Sequence, residues 1–371
     1  MVNNDQPDES GNERFDRPDS ENEDPTDATS GSGDGDTSFL GRRSVLRITG
    51  VTAATGIAAV GPASAEHDAS SGKEYDVWTV TGEEVYDLSD GEVLEDVLVD
   101  QTADGAVLTI RSQNKSGWEV RNIGFMGVGQ AGDGSNRFQF QVSTPSGGQG
   151  LIENVWANGK ARDGQPASEL GGIFLRSPHA GHIDIRHTHI EGFGNNAVYA
   201  SNPGKDHGRD GAVALENCYH RDNTSTQFRI GTPDSTVRNS VAVINDPDGK
   251  RGPYPGSSNR NARGFWGKHF RDQVIENSSV YVSRDDVNPG GAFEARYIED
   301  RSHGEKAVGE VVGCEVNADT PTTARMTSNG DINFTNLGES PTVDVIQDGG
   351  VPMSPEMAAR GEREMPPSLP G

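Results

Sequence analysis

The chain has 371 residues, 57 acidic and 32 basic, for a formal net charge of −25 and a pI of about 4.6. Apolar residues make up only 32%, interrupted by 48 glycines and 20 prolines, which argues against a helical bundle and for a fold with many turns. The acidity, without a basic stripe or a known binding motif, excludes nucleic acid as a partner, and two cysteines, Cys218 and Cys314, are too few for a disulfide framework.

Residues 1–38 are almost entirely Asp, Glu, Asn, Ser, Gly and Pro and are expected to be disordered. Gly41-Arg42-Arg43-Ser44-Val45-Leu46-Arg47 follows, then a weakly apolar stretch from Ile48 to Pro62 that ends in Ala63-Ser64-Ala65. The stretch is shorter than the roughly 20 residues that span a bilayer. Arg42 and Arg43 before such a run predict a twin-arginine (Tat) signal, cleaved after Ala65. The expected product is secreted, with the Tat machinery as its export partner. No cysteine stands at the cleavage point and no apolar segment closes the chain, so no stable membrane anchor is expected. Residues 66–105 are expected to form N-terminal strands and a cap, 106–345 the repeat, and 346–371 a proline-rich disordered tail.

An internal repeat sets the fold. A tripeptide of aliphatic, polar, then usually Asn recurs at Val120-Arg121-Asn122, Ile152-Glu153-Asn154, Ile185-Arg186-His187, Leu215-Glu216-Asn217, Val237-Arg238-Asn239, Ile275-Glu276-Asn277 and Val312-Gly313-Cys314. A short strand follows each copy, then a loop and a second alternating strand. These second strands align as Ile173-Phe174-Leu175, Val198-Tyr199-Ala200, Phe228-Arg229-Ile230, Phe265-Trp266-Gly267 and Phe293-Glu294-Ala295. Alternation puts the outer members of each triplet on one face and the middle member on the other. Three short strands per turn, stacked about 4.8 Å apart, predict an all-β, right-handed parallel β-helix of about seven to eight coils. The recurring Asn is expected to form a ladder at a sharp bend, with His187 and Cys314 taking its place in two coils. Cys218 and Cys314 then lie three coils apart, about 14 Å, too far for a disulfide.

Tyr75-Asp76-Val77, Leu94-Glu95-Asp96-Val97-Leu98-Val99-Asp100 and Trp118-Glu119-Val120-Arg121-Asn122-Ile123-Gly124-Phe125 carry a resemblance. The chain resembles secreted haloarchaeal right-handed β-helix proteins of the broad pectate-lyase-like superfamily, over about residues 72–350. The acidic composition, with seven lysines, agrees with life in molar salt, where the Debye length is about 3 Å and carboxylate repulsion nearly vanishes. The superfamily includes lyases, hydrolases, esterases, tailspikes and catalytically silent adhesins. What the resemblance implies is a substrate lying along the outer face of one sheet, between loops.

Here that face would carry Gln139, Phe174, Tyr199, Arg229, Trp266, Glu294 and Arg325, with a second outward row of Gln141, Arg176, Ser201, Gly231, Lys268, Arg296 and Thr327. Rings cover apolar sugar faces, and guanidinium forks hold carboxylates or sulfates. Phe174, Arg176, Tyr199, Arg229, Trp266 and Arg296 are therefore the expected substrate-binding residues. Charge supports this. Residues 170–300 hold 16 acidic and 15 basic residues, whereas 66–169 hold 18 and 7. The loop Asn202–Ala212 and the longer Ile244–Arg263 would form walls.

A uronate lyase needs a base beside a neutralised carboxylate, which Lys268, Arg229, Lys205 and His207 could supply. A hydrolase needs two carboxylates about 5–9.5 Å apart, from Asp206, Asp210 and Glu294. The paired-aspartate, Gly-His-Gly, Asp-His and Arg-x-Pro-x-x-Arg signatures of polygalacturonases and pectate lyases are absent. By alternation His179, His182, His187 and His189 do not converge on a zinc ion. No cofactor is specified; Ca²⁺ bridging Asp206 or Asp210 to an acidic sugar is the cation such a loop would take. The expected function is binding an acidic polysaccharide, with cleavage by a lyase or hydrolase mechanism if it is an enzyme. The alternative is a non-catalytic surface or adhesin-type protein with the same groove.

Overall fold

The computed structural model describes residues 47–49, 73–129, 138–159, 170–205, 207–245, 262–268, 272–282, 291–296, 307–317, 324–326 and 330–369, all within the compact unit Gly35–Gly371. Arg42, Arg43, the cleavage site and Asp206 lie outside the described residues, as does most of the Ile244–Arg263 loop.

The chain is a parallel β-helix with three strands per coil. In the coil of His187, the strand His182–Glu191 bends at its middle. Its first half pairs in parallel with Gln149–Asn158 of the preceding coil and Ala212–Glu216 of the next, and its second half with Tyr219–Arg221. Val198–Ala200 then closes the coil, paired in parallel with Gly171–Leu175 and Thr226–Ile230. Summed over the coils, the first two faces form one 15-stranded sheet bent at a corner, and the third a 9-stranded sheet. The general preference of parallel crossovers gives the winding its right hand. Parallel pairing already holds Asp76–Thr79 against Val97–Asp100, so the coils begin inside the segment expected to be a cap. Arg47–Thr49, within the expected leader, pairs antiparallel with Asp76–Thr79 at the sheet's edge.

Alternation builds the core. Ile183, Ile185, Val213, Leu215, Val237 and Ile275 point inward from the first face and are buried. Under the third face Phe228, Phe265 and Phe293 stack at 4.8 and 5.6 Å between centroids. His220, also inside, stacks on Phe228 at 4.3 Å.

The corner explains the recurring Asn. Asp96, Asn122, Asn154, His187, Asn217, Asn239, Asn277, Gly313 and Asn336 all have φ between 45° and 60°. This left-handed conformation costs most residues about 1–2 kcal/mol, and Asn and Asp tolerate it best. The repeat therefore extends one coil beyond the tripeptides at each end, through Asp96 and Asn336. Cys314 is not a rung. Val312 pairs with Glu276, so Val311-Val312-Gly313 is the true copy and Gly313 supplies the bend. Cys314 stands one place on, in an interior column with Cys218, Ser240 and Ser278. Both thiols are free and buried, and burial pushes that of Cys314 up to about 11.

From Asp96 to Asn277 the residue before each rung faces outward and alternates in sign. Glu95, Arg121, Glu153, Arg186, Glu216, Arg238 and Glu276 stand in register across seven coils. Arg238 Nε lies 3.0 Å from Glu276. Skipping one coil would oppose like charges, so the row favours the correct stacking order.

The C-terminal segment is ordered rather than disordered. Past Ser340 it runs back along the corner as a strap. Thr342 N–H donates to Ser279, Gln347 N–H to Asn217 Oδ1 (2.9 Å), and Asn154 Nδ2 to the Ala358 carbonyl (3.2 Å). His187 and His189 contact the Gly350 and Pro352 carbonyls at 2.8 and 3.1 Å. Val343, Ile346 and Val351 bury themselves against Tyr219, Val241 and Val243. The helix Pro355–Arg360, capped by the Ser354 hydroxyl on Met357 N–H, sits on Gly124, where any Cβ would collide with the Pro355 carbonyl. The expectation of disorder weighed the prolines and missed the spaced apolar residues between them.

Candidate functional site

Register on the third face aligns Gln141, Phe174, Tyr199, Arg229, Trp266 and Glu294 in one outward row, with Arg325 opposite Glu294 on the next strand. Gln139, expected in that row, instead faces inward, its amide donating to the Leu108 carbonyl at 2.6 Å. Some strands carry an extra outward position three residues ahead of the row. Phe138 and Arg263 occupy it, breaking the strict alternation that the sequence suggests. The second row, Ser201, Gly231 and Lys268, is in register as expected, with Arg296 opposite Lys268 on the next strand.

The row is a column of rings and cations. Phe138, Phe174 and Tyr199 stack at 4.9 and 5.2 Å, within 18° of parallel. Arg229 follows, its guanidinium carbon 3.9 Å from the Tyr199 ring centre and 4.2 Å from that of Trp266. Arg263 lies over the same indole at 4.2 Å, and Lys268 Nζ at 5.1 Å. Arg263 Nε also pairs with Glu294. Arg229 Nε donates to Ser201 Oγ at 2.7 Å, and its Nη2 to the Tyr199 hydroxyl at 3.1 Å. Part of the Arg229 fork is thus already used within the protein. Gly231 makes room for this, because a Cβ there would collide with Ser201 and press on the Lys268 carbonyl.

All of this is more enclosed than an open groove. Trp266 is 4% exposed, Arg229 7% and Lys268 0%. The rings point away from the core yet are covered. Within that cover three polar atoms lack a partner: Asn196 Oδ1, Thr226 Oγ1 and Trp266 Nε1. They belong to three successive coils, and Thr226 is in register with Arg263. Dry, each would cost about 1–3 kcal/mol. Unpartnered buried atoms occur elsewhere, Asn154 Oδ1 among them, but here they flank a column of cations.

The structure therefore brings together Phe174, Tyr199, Arg229, Trp266, Lys268 and Glu294, and places Arg176 in register with Ser201 through its strand. Lys205 is buried at the end of the short turn Asn202–Gly204, in the loop that follows the Tyr199 strand. His207 and Asp210 are exposed on that loop, outside the column. Arg263, Phe138, Asn196 and Thr226 were missed from the sequence. Their common offset from the row was a readable signal once the doubled inward residues were allowed.

The histidines sit apart. His182 bonds Asp184 at 3.2 Å on the solvent side of the first face. That bond holds its ring above the ordinary range and the Asp184 carboxyl below it. His179 is buried in the turn before it. Its Nδ1 accepts from Thr144 N–H at 3.1 Å and its Nε2 donates to the Ala212 carbonyl at 3.0 Å, fixing a neutral tautomer. Burial lowers its pKa to about 4, and that of His220 to about 3. Among the described residues no three metal-ligating side chains gather.

The chain matches no protein-family model, and no curated protein matches it. A crystal structure of a GH136 lacto-N-biosidase from Eubacterium ramulus is similar with a TM-score of 0.38 and 10% identity, over 70% of this chain and 62% of that one. The chain thus spans less than two thirds of that protein's length, and a likeness at this level carries no argument about activity.

Proposed function

We propose that the third face binds an acidic saccharide, and that the protein acts as a secreted saccharide-binding β-helix. The supporting observation is the column Tyr199–Arg229–Trp266–Arg263 with Lys268 beside it, flanked by the unpartnered Asn196, Thr226 and Trp266 atoms. Rings offer stacking surfaces, cations a charge for a carboxylate or sulfate, and the open polar atoms partners for hydroxyls. Binding is favoured over two-carboxylate hydrolysis because Glu294, on this face, is already paired with Arg263.

The test is calorimetric titration in molar salt with uronate and sulfated oligosaccharides, each beside its neutral analogue. Binding of an acidic chain and not of its neutral counterpart supports the reading; indifference to charge, or no binding, contradicts it. The same samples, followed for ultraviolet absorbance of unsaturated uronate and for new reducing ends, separate a lyase or hydrolase from a binding protein. Export by the Tat route is the companion proposal. Arg42→Lys with Arg43→Lys should leave the precursor inside the cell, and continued secretion of protein beginning at Glu66 would contradict it.

A further inference from the structure

Four Asn-x-Ser/Thr tripeptides stand in the sequence: Asn114-Lys115-Ser116, Asn223-Thr224-Ser225, Asn277-Ser278-Ser279 and Asn333-Phe334-Thr335. Each is an acceptor pattern for an N-linked glycan, in which the hydroxyl two residues on bonds the Asn amide and readies its nitrogen for attack. The pattern needs an exposed amide and a backbone that turns between the two residues. The fold separates the four on those counts. Asn223 is fully buried, its Nδ2 donating to the Ile190 and Arg221 carbonyls and to Gln227 Oε1 at 3.0, 3.1 and 2.6 Å. Asn277 is a corner rung whose Nδ2 donates to Asn239 Oδ1 at 2.6 Å, and Ser279 is buried beneath the strap, accepting from Thr342 N–H. Asn333 is exposed but lies within the strand Gly330–Thr335, paired along its length with Ala307–Val312, and its Nδ2 donates to Glu310 Oε1 at 2.7 Å. In a strand, residues two apart are about 7 Å apart, so Thr335 could reach that amide only by tearing the last coil open. Asn114 differs from all three. It is exposed in the turn between Val107–Arg111 and Trp118–Met126, with φ of 56°, the left-handed bend that Asn tolerates. The turn's backbone is pinned. Asn114 N–H donates to Ser143 Oγ and Ser116 N–H to Asp90 Oδ1, both at 2.8 Å, and Gly117 N–H to the Gln149 carbonyl at 2.7 Å. Ser116 Oγ accepts from Gln149 N–H at 3.2 Å, which leaves its own proton to give. The Asn114 side-chain amide takes part in none of these bonds.

We infer that Asn114 is the acceptor of an N-linked glycan and that Asn223, Asn277 and Asn333 stay bare. The inference rests on the proposed export by the Tat route. That route carries its cargo folded, so a glycan transferase beyond the membrane meets this chain as a finished β-helix, and the fold decides which tripeptide it can use. The donor is a saccharide on a lipid-linked phosphate. Asn114 Nδ2 attacks the anomeric carbon, a C–N bond forms as the C–O bond to the phosphate breaks, the amide proton passes to a base of the transferase, and the lipid phosphate leaves. Nothing is oxidised or reduced. The glycan stands on the edge where the third face turns into the first. The Asn202–Ala212 loop leaves the same edge three coils on, about 14 Å along the axis. A hydrated chain there enlarges the polar surface and leaves the core untouched.

The test uses the full chain, purified from the medium of the cells that naturally make it, with the peptide around each tripeptide read by mass spectrometry. The Asn114 peptide should carry a saccharide mass, and the peptides of Asn223, Asn277 and Asn333 their sequence mass alone. Asn114→Asp keeps a residue that accepts the left-handed bend and should abolish the added mass with melting unchanged. Ser116→Ala should abolish it too, whereas Ser116→Thr, which keeps the hydroxyl, should retain it. A bare Asn114 on exported protein beginning at Glu66 would overturn the inference and leave the export reading standing. Saccharide on Asn223 or Asn277 would mean that the chain met the transferase unfolded, which overturns both the selection by the fold and the Tat route. Retention of the unaltered protein inside the cell would sink the export reading and this inference with it. The wild-type peptide map stands whatever the variants do.

Discussion

Two columns of stacked side chains run along this helix, one at the corner and one on the third face, and they are closed in different ways. At the corner Asn154, His187 and Asn217 give their side-chain bonds to the chain's own strap. On the third face the rings and guanidiniums close on one another, and polar atoms on three successive coils stay open. Stacking comes from the repeat and says nothing of role. The better guide is the run of unpartnered atoms beside the cations on the third face, against Asn154 Oδ1 at the corner. The corner is therefore read as architecture and the third face as a site.

The sharpest way to break the comparison is to lift the strap. Removing residues 341–371 strips three buried aliphatics, Val343, Ile346 and Val351, from their contacts. At about 1.5–3 kcal/mol each the loss should exceed about 5 kcal/mol, read by denaturant unfolding. Gly124→Ala is the milder form, since its Cβ would strike Pro355, and should loosen the helix Pro355–Arg360 while saccharide binding survives. If truncation leaves stability unchanged, the strap is not part of the fold.

Next in size is Trp266→Ala. Its outward position alone suggests a harmless change, yet the ring is buried under two guanidiniums, so about 3 kcal/mol of stability should be lost along with binding. Trp266→Phe keeps the stack and removes only the unpartnered N–H; it should weaken binding with little effect on melting. Equal effects of the two variants on melting would mean that the ring is not a packing element.

Acid offers a third handle, independent of both columns. His179 and His220 are buried neutral, their pKa values lowered to about 4 and about 3. A depressed histidine contributes stability above its unfolded pKa of about 6.5 that is lost as pH falls toward the folded value. Stability should drop by on the order of 3 kcal/mol for each histidine, about 6 kcal/mol for the two, between about pH 6.5 and about pH 4. A flat profile there would contradict the neutral tautomers.

Much of this was legible in the sequence. The strand phase of Tyr199, Arg229 and Trp266 followed from alternation, and the coil corner from the recurring Asn. The backbone reason was not visible: a left-handed bend accepts Gly313 and Asp96 as readily as Asn, so the pattern mistook Cys314 for a rung. Outward was also equated with exposed, which failed because Lys268 faces away from the core and is fully covered. The tail was misread because its partners, Asn217 and His187, lie more than a hundred residues away, and no local pattern reports so distant a contact.

Smaller effects should sort the corner rungs. Asn217→Ala should cost about 1–3 kcal/mol, as it strands the Gln347 N–H and places Ala in a left-handed bend. Asn217→Gly keeps the bend and loses only the bond, so it should recover about half of that. Smallest of all is Arg186→Glu in the alternating row, worth under about 1 kcal/mol and fading in molar salt.

Hydrogen exchange with and without a saturating acidic oligosaccharide compares the two columns in one experiment. Protection should rise in peptides covering residues 196–201, 226–231 and 263–268, and remain unchanged over 346–364. Protection that rises over the strap and corner, with none on the third face, would contradict the assignment of the two columns.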